Sequence, residues 1–88
     1  MQIEKASPTV FTPLADGTGV LLNLDTLFYY SLNRTGSVLW QRIEEGVVTL
    51  DELLRDTGER FEVSEDTARS LVIKFIEQLE IFKMIRVS

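Results

Sequence analysis

The stretch "TLFYYSLNRTGSVLW", residues 26–40, constrains the fold more than any other. Leu27, Phe28, Tyr29, Tyr30 and Leu32 make its first half apolar on both faces, with Ser31 alone clearly polar. A half-buried strand alternates because one of its faces meets water, so a strand of this kind calls for cover beyond an ordinary core. Asn33 or Thr35 can then cap a helix immediately, so the strand passes into a helix without a linker.

The segments before it read as strands. "PTVFTPLA" is a short edge-like run bordered by Pro8 and Pro13, positions where proline is tolerated. Asp16-Gly17 is a turn dipeptide. "GVLLNLD" places Val20, Leu22 and Leu24 on one face and Leu21, Asn23 and Asp25 on the other. A tight turn near Asp25-Thr26 leads into "LFYYSL". The economical topology is a three-stranded antiparallel meander over about residues 8–32, with the third strand at an edge.

The remainder reads as three helices over about residues 34–82. The first runs to about Glu45 with Leu39, Trp40 and Ile43 on one face, and Gly46 ends it. Trp40 is large enough to anchor a small core, and Gly36 avoids side-chain bulk where the helix begins. Thr49 caps the second helix, with Glu52 completing a "T-x-x-E" capping box and Gly58 as its stop. Ser64 caps the third, with Val63 as a staple residue. The tail "KMIRVS" forms a last short strand that pairs with Val47-Val48. The expected class is α+β, one domain over residues 1–88. A three-stranded antiparallel sheet precedes a helical half like a winged helix-turn-helix.

Composition removes most chemistry. With no His and no Cys among 88 residues, zinc sites on imidazole or thiolate and Ser-His or Cys-His nucleophilic pairs are excluded. No phosphate-binding glycine loop is present. Neighbouring carboxylates such as Glu44/Glu45 and Glu65/Asp66 point about 100° apart on a helix and do not converge on one substrate atom. Ser70 and Lys74 share a helix face, but no oxyanion-stabilising motif accompanies them. The expectation is no enzyme, no catalytic residue, no metal and no cofactor. A net charge of 9 − 14 = −5 is the wrong sign for binding phosphates, so neither nucleic acid nor an anionic membrane is an expected partner. The N-terminus lacks the basic start and apolar run of a signal peptide, and no stretch is long enough to span a bilayer. A cytoplasmic location is expected.

The third helix carries surplus apolar surface. At 100° per residue, Ala68, Leu71, Val72, Phe75, Leu79 and Phe82 cluster into a core face. Ile76 falls on its shoulder, and Ile73 lies further round beside Arg69. An edge strand and a helix with unused apolar side chains suit one use: a peptide adds itself to the strand edge and sends alternate side chains into the neighbouring groove. Ile73 and Ile76 would form one wall, and Tyr29 or Leu27 the other. About four ladder bonds at roughly 1 kcal/mol each and two buried side chains at about 1.5–3 kcal/mol apiece outweigh a peptide-ordering cost of about 2–5 kcal/mol. Micromolar binding is within reach.

The same residues carry a family resemblance. "VLLNLDTLFYYSLNRTGSVLWQRIEEG" followed by "TLDELLRDTGERFEVSEDTARSLVIKFIEQLEIFKMI" resembles the PqqD-like domains, the recognition elements of ribosomally made, modified peptides. The likeness covers roughly residues 18 to 86, and "YYSLNRTGSVLW" is its most specific part. The resemblance implies that a precursor's leader docks as an added strand beside the third strand and against the third helix. Carried over by position, the peptide-binding residues are Leu27, Phe28, Tyr29, Tyr30 and Ser31 on the edge, with Arg69, Val72, Ile73 and Ile76 on the helix. Relatives often have glycine where Leu27 stands. "NLD" and "EEG" replace the "YPE"-like and Cys-Asp-Gly segments of the pyrroloquinoline quinone versions. The chain looks more like the stand-alone leader-binding proteins of lasso-peptide clusters, whose partner is a leader protease.

The leading expectation is therefore a non-catalytic adaptor that binds a leader peptide and delivers it to a maturation enzyme. Arg69, Lys74 or Arg34 is available to pair with acidic leader side chains. Three alternatives compete. One is a peptide chaperone for a radical-SAM enzyme in another modified-peptide pathway. Another is a winged-helix DNA-binding regulator, for which Arg69, Lys74, Lys83 and Arg86 are a thin basic set. The third is a homodimer joined edge to edge through "LFYYSL".

Overall fold

In the computed structural model, which describes residues 1–88, six strands and three helices follow one another as β1 (Gln2–Lys5), β2 (Thr9–Pro13), β3 (Gly19–Asn23), β4 (Tyr29–Leu32), α1 (Arg34–Glu44), β5 (Val48–Thr49), α2 (Leu50–Phe61), α3 (Glu65–Ile81) and β6 (Ile85–Val87). The α+β class and the antiparallel meander are both present, with strand order β2-β3-β4 and β4 at an edge. A second three-stranded sheet, order β5-β1-β6, was not expected from the sequence. The tail strand does not pair with Val47-Val48. The N-terminal strand lies between them, with Ile3 opposite Val48 on one side and Val87 on the other. Burial explains the insertion: Ile3 is fully enclosed, and its strand satisfies two edges at once.

The core unites both sheets and all three helices. Trp40, Ile3, Leu21, Leu53, Leu79 and Met84 are among its fully buried members, so Trp40 has the packing role expected of it. On β3 the inward face is Leu21 and Asn23, while Val20 and Leu22 turn outward and are half-buried. Gly19 favours a small residue, because an added Cβ would overlap the Phe11 ring.

Each helix begins where a side chain satisfies its free N–H groups. Asn33 accepts from the Gly36 N–H at 2.7 Å, Thr49 from Glu52 at 3.1 Å and Ser64 from Thr67 at 3.2 Å. The Thr49 hydroxyl also donates to Glu52 Oε1. Gly58 does not stop α2, which continues to Phe61 and ends at Glu62 in the left-handed region. An interior glycine costs a helix about 1 kcal/mol. Here the buried Thr57, whose hydroxyl donates to the Leu53 carbonyl at 2.7 Å, and the half-buried Phe61 hold the last turn in place. Arg42 clasps α1 to α2 through Glu52 and Asp56 at 3.0 and 3.1 Å.

Asn23 joins the meander to the helical half. Its buried side chain accepts from the N–H groups of Asp25 and Thr26 at 2.8 and 3.1 Å, shaping the β3–β4 hairpin. Its Nδ2 donates to the Lys83 carbonyl at 2.7 Å, just past the end of α3. The hairpin closes through Leu27, which sits at φ 64° and donates to the Asn23 carbonyl at 2.7 Å. That left-handed conformation explains why glycine suits this position.

Two stability measurements follow. Asn23→Leu removes all three hydrogen bonds of the buried amide from their partly buried partners and lowers unfolding free energy in urea by about 1–3 kcal/mol. Leu27→Gly relieves the left-handed side chain at a smaller backbone-entropy cost, so it raises stability by about 0.5–1 kcal/mol. A destabilised Leu27→Gly protein would show that the exposed leucine side chain holds the turn.

Candidate functional site: an open strand edge beside a helix

The β4 strand has β3 on one side and no strand on the other. Its register pairs Leu22 with Tyr29, Leu21 with Tyr30 and Val20 with Ser31. The Asn23 N–H donates to the Phe28 carbonyl at 2.9 Å, which fixes the phase of the ladder. Since hydrogen-bonded and non-hydrogen-bonded pairs alternate, Phe28, Tyr30 and Leu32 turn their backbone groups toward β3. Tyr29 and Ser31 turn theirs to the open side. Two N–H and two C=O groups thus stand ready at the edge.

Beside that edge runs a groove of about 640 Å³ between β4, the start of α1 and one face of α3. Tyr30, Ser31, Leu32, Asn33, Thr35, Gly36 and Leu39 form one side. Ser70, Leu71, Lys74, Phe75 and Gln78 form the other. Gly36 lets the two walls approach: a Cβ there would lie 3.2 Å from Leu32 Cδ2 and 3.4 Å from Phe75 Cε1. At one end Phe82 packs against Tyr30 and Phe28, with ring centroids 5.2 and 6.3 Å apart. These aromatic contacts support the strand from beneath.

The sequence-expected residues divide sharply. Tyr30 and Ser31 line the groove, and Tyr29 stands on the edge with its ring on the outer face, 68% exposed. Leu27 and Phe28 belong to the hairpin before β4; Leu27 is 69% exposed. On α3 the structure separates the expected residues. Val72 and Ile76 are core residues, 0% and 5% exposed, and offer no surface to a ligand. Arg69 lies on the opposite shoulder, in a hollow with Asp51, Glu59 and Glu65 between α2 and α3. Ile73, one turn further along that side, is half-buried and does not line the groove. The core stripe is Ala68, Val72, Ile76 and Leu79, rotated by about 45° from the one expected at 100° per residue. On the groove side of α3 the apolar residues are Leu71, 41% exposed, and the half-buried Phe75, while Ile81, 64% exposed, stands at the end of the helix. An i, i+4, i+8 ladder from Ala68 was the available signal, but two overlapping stripes fit the helix equally well.

The groove presents hydroxyls, amides and one ammonium among apolar side chains. No cluster of three or more carboxylate, imidazole or thiolate groups is placed to hold a metal ion. Outside it, the Asp16 carboxyl is held below the usual aspartate range, chiefly by the Thr18 hydroxyl and then by the Thr18 N–H. Arg34 donates from Nε to the Asp16 carbonyl at 2.7 Å and is engaged there. No helix is long and apolar enough to cross a membrane.

Comparison with known proteins agrees with this architecture. The structure of TbiB1 in complex with the TbiA(beta) leader peptide is similar over 97% of this chain and 96% of that one, with a TM-score of 0.84 and 24% sequence identity. That likeness establishes the fold. No curated protein matches the chain. The family of coenzyme PQQ synthesis protein D (PqqD) matches residues 18–85, the span from β3 through all three helices to the start of β6. The chain belongs to the PqqD family.

Proposed function

We propose that this chain, acting as one recognition domain, is a non-catalytic adaptor for the leader of a ribosomally synthesised precursor peptide. The leader adds a strand to the β4 edge and hands its side chains to the groove against α3. The observation that carries this reading is the conjunction of unpaired Tyr29 and Ser31 backbone groups with an apolar trough along the same strand. Strand addition draws affinity from main-chain bonds and specificity from pockets for alternate side chains. Four edge bonds at about 1 kcal/mol each, with two side chains buried on Leu71 and Phe75, exceed an ordering cost of about 2–5 kcal/mol.

The structure of TbiB1 in complex with a leader peptide supports the same kind of occupant for this groove. The recipient of the captured peptide is a maturation enzyme in the cytoplasm, a leader protease of a lasso-peptide pathway. The adaptor brings no chemistry of its own, consistent with a chain that has neither His nor Cys.

The test is fluorescence anisotropy with a labelled leader from a neighbouring short open reading frame. Wild type binds saturably at micromolar concentration or tighter. Ser31→Pro, which removes an outward N–H at a position where an edge strand accepts proline, weakens binding by about tenfold or more, as does Leu71→Glu. Ile73→Glu, on the far shoulder of α3, changes it by less than about threefold. No binding by a folded wild type, or equal loss in Ile73→Glu, would overturn the assignment. Mass that rises with concentration would point to edge-to-edge dimers on the same strand.

A further inference from the structure

Lys74 is the one formally charged residue among the twelve that line the groove. It is exposed and makes no ion pair; the four in the molecule engage Lys5, Arg42 twice and Arg86. Glu77, three residues on, lies outside the lining. Of the other basic candidates, Arg34 donates to the Asp16 carbonyl, and Arg69 lies in the hollow between α2 and α3, outside the groove lining. Ser70 precedes Lys74 by one helical turn and lines the same wall, so a hydroxyl and an ammonium face the groove together.

From this placement we infer that Lys74 and Ser70 receive a carboxylate of the captured peptide, making the groove selective for an acidic residue. The inference rests on the adaptor reading and names what that adaptor reads. A carboxylate accepts from both donors at once, and charge-assisted bonds of this kind are roughly twice as strong as neutral ones. A neutral or basic peptide would cover Lys74 and leave its charge without a partner, so selectivity comes from a penalty as well as from an attraction. The protein as a whole carries −5, which disfavours acidic ligands at long range. That field is screened beyond about 10 Å at 0.1 M salt, and the contact decides. Leu71 and Phe75 flank Lys74 within one turn. Alternate residues of an extended peptide share a face, so the recognised motif is an acidic residue two positions from an apolar one.

The experiment selects a displayed library of random dodecapeptides on purified wild type, Lys74→Glu and Ser31→Pro. Wild type enriches Asp or Glu at a fixed position with an apolar residue two away. Lys74→Glu moves that position to Lys or Arg, and binds a wild-type-selected peptide about tenfold more weakly. A wild-type motif without an acidic position, or one unchanged by Lys74→Glu, overturns the inference. If such peptides still lose binding to Ser31→Pro, the adaptor reading stands and only the role of Lys74 falls. Peptides indifferent to Ser31→Pro, or no enrichment at all, remove both.

Discussion

A single buried amide fixes the two walls of the groove relative to each other. Asn23 accepts from the backbone of the β3–β4 hairpin and donates to the carbonyl of Lys83, one residue beyond the cap of α3. The strand that offers its edge and the helix that faces it are thereby tied at one end. The ring of Phe82 lies under Tyr30 and Phe28 beside the same tie. At the other end Gly36 lets Leu32 and Phe75 come close without bulk between them. A groove held at both ends is pre-organised, which lowers the ordering cost of binding there.

Most of the fold was legible in local patterns. Three helix starts could be read from Asn33, Thr49 and Ser64 because capping is decided within four residues. The meander could be read because alternation and turn residues are local too. What escaped was the N-terminal strand, whose position between β5 and β6 depends on one enclosed isoleucine and on edges more than forty residues away. The end of α2 escaped for a similar reason: Gly58 is a breaker by propensity, but the buried Thr57 and packed Phe61 override it.

The site was half legible. Surplus apolar residues on β4 pointed to its edge, and the structure leaves that edge open. The core stripe of α3 was read about 45° out of place, because Leu71, Val72, Phe75, Ile76 and Leu79 admit two stripes at helical spacing. Only packing chooses between them, and it buries Ile76 in preference to Leu71. The choice has a consequence for charge. With the groove on the Leu71 side, Arg69 falls outside its lining and Lys74 is the one charged side chain within it.

A peptide that joins the ladder at Tyr29 and Ser31 must cover their outward backbone groups. Amide hydrogen exchange, followed residue by residue by NMR with and without a leader peptide, tests this most directly. The Tyr29 and Ser31 amides, open in the free protein, are expected to become protected on binding. Those of Phe28, Tyr30 and Leu32, whose backbone groups face β3 or the hairpin, change little. Protection that appeared instead around Arg69 and Ile73, or binding that left Tyr29 and Ser31 exchanging freely, would contradict it.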